Sequence, residues 1–204
     1  MAIVRKEDHF KSTSKQDFDV NYFIWYDDEK APKACVQITH GLSEYIRRFE
    51  PLAEFLVKNG YACIGQDNLG HGQTAGLERL GITPDDGAEA IVEDMHVLTG
   101  IMKKLYPSVP YFLYGHSLGS YESRNYVQKY SDELDGTIWA GSCYFPPVLS
   151  KGAPAMDAFA KIAGKDKASR IGNIAGGIVA DTGIFPMRTL SDWLSYDRKN
   201  VMKF

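Results

Sequence analysis

Tyr111-Phe112-Leu113-Tyr114-Gly115-His116-Ser117-Leu118-Gly119 is an apolar run that leads straight into a serine set between glycines, with helix-compatible residues after it. Strand, sharp turn and helix in that order hold a serine hydroxyl outward, which is the context the G-x-S-x-G pattern requires. Gly115 and Gly119 supply the room for the turn. The alternative reading is a Gly-rich turn that only packs a strand against a helix.

Outward from this turn the chain alternates. The segment Gly119–Tyr130 reads as a helix and Thr137–Cys143 as a further strand, with the turn Asp135-Gly136 before it. Upstream, Val20–Tyr26, Ala34–Thr39 and Tyr61–Gln66 have strand composition. Phe49, Leu52, Ala53 and Leu56 keep the i, i+3, i+4, i+7 spacing of a helix that Asn59-Gly60 closes, and Ile91, Met95, Leu98, Met102 and Leu105 form a second stripe that stops before Pro107. Strands alternating with helices of this length imply βαβ units with right-handed crossovers, hence a parallel sheet covered on both faces.

From Pro146-Pro147 the alternation ceases. Helical stripes follow at Met156, Phe159, Ala160 and Ala163 and at Ile171, Ile174, Ala175, Ile178 and Val179. We therefore divide the chain into a core, residues 1–145, and a helical cap, residues 146–204.

Cleaving an ester needs donors for the tetrahedral oxyanion, best supplied by backbone N–H groups fixed before reaction. The Leu118 amide opens the helix after the serine, where the macrodipole also favours negative charge. A second donor belongs in the loop after an earlier strand. His40-Gly41-Leu42 follows Ala34–Thr39 in that place and nominates the Leu42 amide, against the plainer reading of a strand-ending turn.

Three segments carry a family resemblance: His40-Gly41-Leu42-Ser43-Glu44 with Arg48-Phe49, then Asp67-Asn68-Leu69-Gly70-His71-Gly72, then Gly115-His116-Ser117-Leu118-Gly119. In order and spacing they resemble the monoacylglycerol lipase and lysophospholipase branch of the α/β-hydrolases, which is serine aminopeptidase S33-like. Trp193-Leu194-Ser195-Tyr196-Asp197 is similar to the segment that ends that family's cap. The resemblance implies an α/β-hydrolase fold, with a mostly parallel sheet, helices on both faces and a helical cap. It also implies Ser117 as nucleophile in an acyl-enzyme mechanism, with Leu42 and Leu118 as oxyanion donors supported by His40, Gly41, Gly115, His116 and Gly119. The implied substrate is a small lipid ester of monoacylglycerol or lysophospholipid type, with no cofactor and no metal. Tyr45 stands where the family often carries His, Leu69 where Arg is common, and Ser120 where a third Gly is frequent.

The family places its acid and its histidine on strands beyond the cap. Here the five histidines stop at His116, and none of the later aspartates sits at the end of a recognisable strand. The expectation is a fold incomplete at its C-terminus and a chain with impaired activity. The alternative is a non-catalytic remnant that holds an acyl ligand. His116 adjoins Ser117 at a sharp turn, where neighbouring side chains diverge, so it is a poor base. His96 reads as a structural imidazole beside its helix stripe, and the resemblance gives His40 and His71 the work of bracing loops.

Bulk properties narrow the partners. With 44% hydrophobic residues in 204, the chain can bury a core. Lys plus Arg number 23 against 26 acids, for a formal charge of −3 without long single-sign runs, so no nucleic-acid partner is expected. No leader-like apolar region and no run of membrane-spanning length is visible, and a cytoplasmic protein is expected. Cys35, Cys63 and Cys143 lie in apolar runs without C-x-x-C spacing and read as buried, reduced thiols. If the strand after Asp135-Gly136 ends the sheet, its unpaired edge invites a second copy of the chain.

Overall fold

In the computed structural model, residues 2–142, 151, 153–163, 189, 195 and 197–202 are described. The chain divides into two units, Met1–Tyr144 and Phe145–Phe204.

In the first unit six strands form one sheet: β1 (Ile3–Lys11), β2 (Asp19–Asp27), β3 (Ala34–Thr39), β4 (Tyr61–Gln66), β5 (Tyr111–His116) and β6 (Gly136–Ala140), in the order β1-β2-β4-β3-β5-β6. From β4 to β6 every pairing is parallel, with Val36 opposite both Cys63 and Phe112, and Gly115 opposite Trp139. The mostly parallel sheet expected from the alternation is therefore present.

Two antiparallel pairings extend it. β2 runs against β4, with Ile24 opposite Ile64, and β1 runs against β2 over its whole length. β1 is a strand that composition does not disclose: only Ile3, Val4, Asp8 and Phe10 are partly covered, and Arg5, Lys6, Glu7 and Asp8 sit in its middle. Its hairpin is anchored by α3 (Gly87–Leu105), where the buried Asp94 carboxylate accepts from Ser12 Oγ at 2.7 Å and from the Thr13 N–H at 2.7 Å.

Alternation along the strands sorts the core into two faces. Phe23, Trp25, Val36, Ile38 and Cys63 pack with Ala53 and Val57 of α1 (Glu50–Lys58). Tyr22, Ile24, Cys35, Ala62, Ile64 and Tyr111 pack with Leu98 and Met102 of α3. Nearer the strand ends, Leu113 joins Met95 of α3 and Tyr126 of α4 (Leu118–Tyr130). Each large side chain removed from water in this way contributes about 1.5–3 kcal/mol. Cys35 and Cys63 are free and buried, and burial pushes both thiols up to about 12.

β6 is shorter than the run Thr137–Cys143 suggested. It stops at Ala140 because Gly141 adopts φ 63, a left-handed conformation that ends the extended ladder. Cys143 lies outside the described residues. A four-residue helix, α2 (Gly72–Ala75), follows the turn after β4.

In the second unit α5 (Ala153–Ala163) contains the stripe Met156, Phe159, Ala160 and Ala163, and α6 (Arg198–Val201) is a short turn of helix. The stripe from Ile171 to Val179 lies outside the described residues, as does most of Trp193–Asp197. Among the described residues no helix is long and apolar enough to cross a membrane.

Candidate active site

Ser117 sits between β5 and α4, as the residue just before the first helical position, with φ 51 and ψ −116. A non-glycine residue in this part of backbone space costs on the order of 1–3 kcal/mol. Among the described residues only Ser43 and Ser117 combine a side chain with positive φ. Both lie in the two segments that the sequence singled out.

The turn is held from several sides. The Ser117 N–H donates to Ala140 O of β6 at 2.9 Å, and the Ser117 carbonyl accepts from the Ser120 N–H at 2.9 Å and Ser120 Oγ at 2.6 Å. Ser120, a departure from the family pattern, is thus a fully buried clamp on the turn. Leu69, another departure, is buried in the core against α3 and α4. Gly119 is a close approach: a Cβ there would lie 2.5 Å from Thr39 O and 2.7 Å from His40 O. Helix α4 therefore rests directly on the end of β3.

The loop after β3 touches the serine turn. A Cβ on Gly41 would lie 2.9 Å from Ser117 Cβ, so any side chain there would collide with it. His40 sets this loop from beneath. Its Nε2 accepts the Asn68 N–H at 3.1 Å, so the proton is on Nδ1, which donates to Gly41 O at 2.8 Å. Because the peptide is planar and trans, fixing the Gly41 carbonyl fixes the Leu42 N–H on its opposite side. Burial depresses His40 to about 4, so the ring is neutral and keeps this tautomer across ordinary pH. His71 packs edge-on to His40, with Nδ1 at 3.0 Å from Leu69 O. Both histidines brace loops.

Among the described residues His116 makes no hydrogen bond to the serine hydroxyl. Its Nδ1 lies 3.0 Å from Glu44 Oε2, and the same oxygen accepts the Gly41 N–H at 2.8 Å. Arg48 approaches the other carboxylate oxygen at 3.5 Å. Glu44 therefore ties the loop after β3 to the serine turn, a function its place in the motif did not reveal. His96 stacks on Tyr130 at 4.0 Å and meets Glu133 at 3.0 Å, in a structural role away from the turn.

Among the described residues no group hydrogen-bonds Ser117 Oγ, and neither the Leu42 nor the Leu118 N–H has a hydrogen-bond partner. Ser117 itself is half-buried. A serine hydroxyl at a strained turn can attack a carbonyl carbon, and amide donors without partners among the described residues can stabilise an oxyanion placed against them. Among the described residues no cluster of side chains suits a metal ion.

Two carboxylates were not legible in advance. Asp67, in the turn after β4, accepts the Ile46 N–H at 2.7 Å and the Gln73 N–H at 2.8 Å. Glu122, on α4, accepts from Asn68 Nδ2 at 2.8 Å and Thr39 Oγ1 at 3.1 Å.

Comparison with known proteins bears on these features. A family model described as serine aminopeptidase, S33, matches residues 30–204. The monoglyceride lipase homolog of Monkeypox virus is 37% identical over 105 residues, covering 51% of this chain and 36% of that protein. The monoacylglycerol lipase of Mycolicibacterium smegmatis is 30% identical over 146 residues, covering 71% of this chain and 49% of that protein. The chain thus spans half or less of the length of these relatives. The structure of a thermostable carboxyl esterase from Bacillus coagulans, in complex with glycerol, superposes with a TM-score of 0.82 at 27% identity, over 100% of this chain and 64% of that one.

Proposed function

Because this chain belongs to the serine aminopeptidase S33 family of α/β-hydrolases, we propose that it is a serine hydrolase of carboxylic esters that works through an acyl-enzyme on Ser117. Its substrates on this reading are small lipid esters of monoacylglycerol or lysophospholipid type, in keeping with the monoglyceride and monoacylglycerol lipases it resembles. Residues 146–204 form the helical cap on this reading. The observation that carries the reading is the backbone of Ser117, held at φ 51 beside a Leu118 N–H that has no partner among the described residues.

Chemically, Ser117 Oγ attacks the acyl carbon while the carbonyl oxygen takes up negative charge. The Leu42 and Leu118 N–H groups receive that charge, each worth about 3–4 kcal/mol of barrier. The alcohol leaves with a proton, and water then releases the acid by the same route in reverse. We assign the general base to no described residue. That leaves the non-catalytic acyl-binding reading as a second one, favoured by the lack of a hydrogen bond to Ser117 Oγ among the described residues.

The experiment is labelling of the full chain by a fluorophosphonate, followed by turnover of a monoacylglycerol, a lysophospholipid and an aminoacyl anilide. Labelling at Ser117 with ester turnover at least tenfold above anilide turnover is the expected result. An unlabelled, folded chain that still binds fatty acid would replace the hydrolase reading with the acyl-binding one.

We also place the protein in the cytoplasm, consistent with two free, buried thiols. Among the described residues β6 ends the sheet order, with Ile138 and Trp139 exposed, and we propose that this edge pairs with a second copy. Sedimentation is expected to show dimers or larger species. A monomer at high concentration would remove the pairing.

A further inference from the structure

We propose that Glu122 is a positioning residue for the oxyanion donors: from the helix that Leu118 opens, its buried carboxyl group fixes the loop carrying Leu42 through Thr39, Asn68 and His40. The inference rests on the hydrolase reading for its chemical consequence, but its geometry stands without it.

The path is short and fully hydrogen-bonded. Glu122 Oε2 accepts from Asn68 Nδ2 at 2.8 Å and from Thr39 Oγ1 at 3.1 Å. Asn68 then donates its backbone N–H to His40 Nε2, and His40 holds Gly41 O, which orients the Leu42 N–H. Asn68 has little freedom to turn, because its Oδ1 accepts from Gln66 Nε2 at 3.2 Å. The two proposed donors thus sit on segments that Glu122 joins.

A carboxyl here is costly in itself. Glu122 is only 7% exposed, and its two partners are neutral donors. Burial raises it to about 7, while the bonds from Thr39 and Asn68 act in the opposite direction. The titratable groups on the neighbouring segments are His40 after β3, Asp67 and His71 after β4, His116 ending β5 and Asp94 on α3. None of them moves Glu122 through its charge. Burial therefore brings its protonation near neutral pH, and the two bonds that hold the loop act against that rise. When ionised, the carboxylate accepts both bonds. When protonated, the neutral carboxyl accepts these bonds more weakly, and a proton on Oε2 itself would be donated to Thr39 Oγ1, 3.1 Å away, reversing that bond.

His40 is the reporter. Burial keeps its own protonation near 4, so between about pH 5.5 and about pH 8.5 its ring signals follow their surroundings rather than its own charge. With ¹⁵N-histidine in the full chain, the His40 resonances of the wild type are expected to step near neutral pH. Glu122→Gln should make them flat. Thr39→Val removes one donor to the carboxylate and should move the step to higher pH, which guards against a Gln variant that fails to fold. In the same proteins the maximal rate of fluorophosphonate inactivation should fall about tenfold in Glu122→Gln, with the inhibitor concentration for half-maximal rate unchanged. A flat wild-type His40 signal, or a step that survives Glu122→Gln, overturns the positioning role. If the wild type steps but never labels, the hydrolase reading falls while the coupling of Glu122 to His40 stands.

Discussion

Ser117→Ala is expected to abolish fluorophosphonate labelling of the full chain and to lower ester turnover at least about a thousandfold. Its stability should hardly change. Ser117 Oγ has no hydrogen-bond partner among the described residues, so no buried bond is lost, and alanine at φ 51 is as strained as serine. The expected shift is within about 0.5 kcal/mol. Ser117→Gly separates the two properties further. It also removes the hydroxyl, but glycine enters positive φ without steric cost, and the relief of about 1–3 kcal/mol exceeds the entropy that glycine adds to the unfolded chain. A glycine variant that unfolds at higher temperature than the wild type, and does not label, is the signature of a backbone strained for the sake of a nucleophile. Equal labelling in the alanine variant would move the reactive residue elsewhere. A glycine variant less stable than the wild type would mean that the turn stores no strain.

That turn is also where sequence and structure agree most closely. The apolar run before Gly115 and the helical residues after Ser117 leave few arrangements open, and β3 and β4 begin and end at the residues their composition marks. These are central strands, buried on both faces, and their side chains form unbroken apolar runs. β1 hides for the opposite reason. It is an edge strand whose residues are half-covered or exposed, so its charges look like those of a loop. The site divides in the same way. Local glycine geometry makes the contact of Gly41 and Gly119 with their neighbours legible, since each leaves space for a backbone crossing. Glu44, Asp67 and Glu122 act through bonds to residues between 3 and 83 positions away, and no spacing rule connects them. An acid on a helix reads as a solvated group until its neighbours are known. Glu122 faces Thr39 and Asn68 only because α4 rests on the end of β3.

Asp67→Ala carries the largest expected loss of stability, about 3–5 kcal/mol, read as a lower urea midpoint at unchanged slope. Asp67 is 2% exposed, and each carboxylate oxygen accepts one backbone N–H, from Ile46 at 2.7 Å and from Gln73 at 2.8 Å. Alanine would leave the buried Ile46 N–H without a partner, at about 1–3 kcal/mol, remove the acceptor of the part-buried Gln73 N–H, and open a small void. Asp67→Asn keeps one acceptor, so its loss should be about half as large. The pH dependence has a definite sign. Burial is the largest influence on Asp67 and raises it, against the lowering effect of the Ile46 and Gln73 bonds. A carboxyl raised in the folded state gives its greatest support below the ordinary carboxylate range. That support declines as pH rises from the unfolded value through the folded one, so the gap between wild type and Asp67→Asn should be widest in acid. The site should respond as well, because Ile46 begins the turn that closes the loop bearing Gly41 and Leu42. Releasing its N–H frees one end of that loop while His40 still holds the other. Fluorophosphonate labelling should therefore slow in Asp67→Ala under conditions where the protein remains folded. An unchanged urea midpoint would show that water replaces the carboxylate without cost, and that the turn after β4 does not anchor the site.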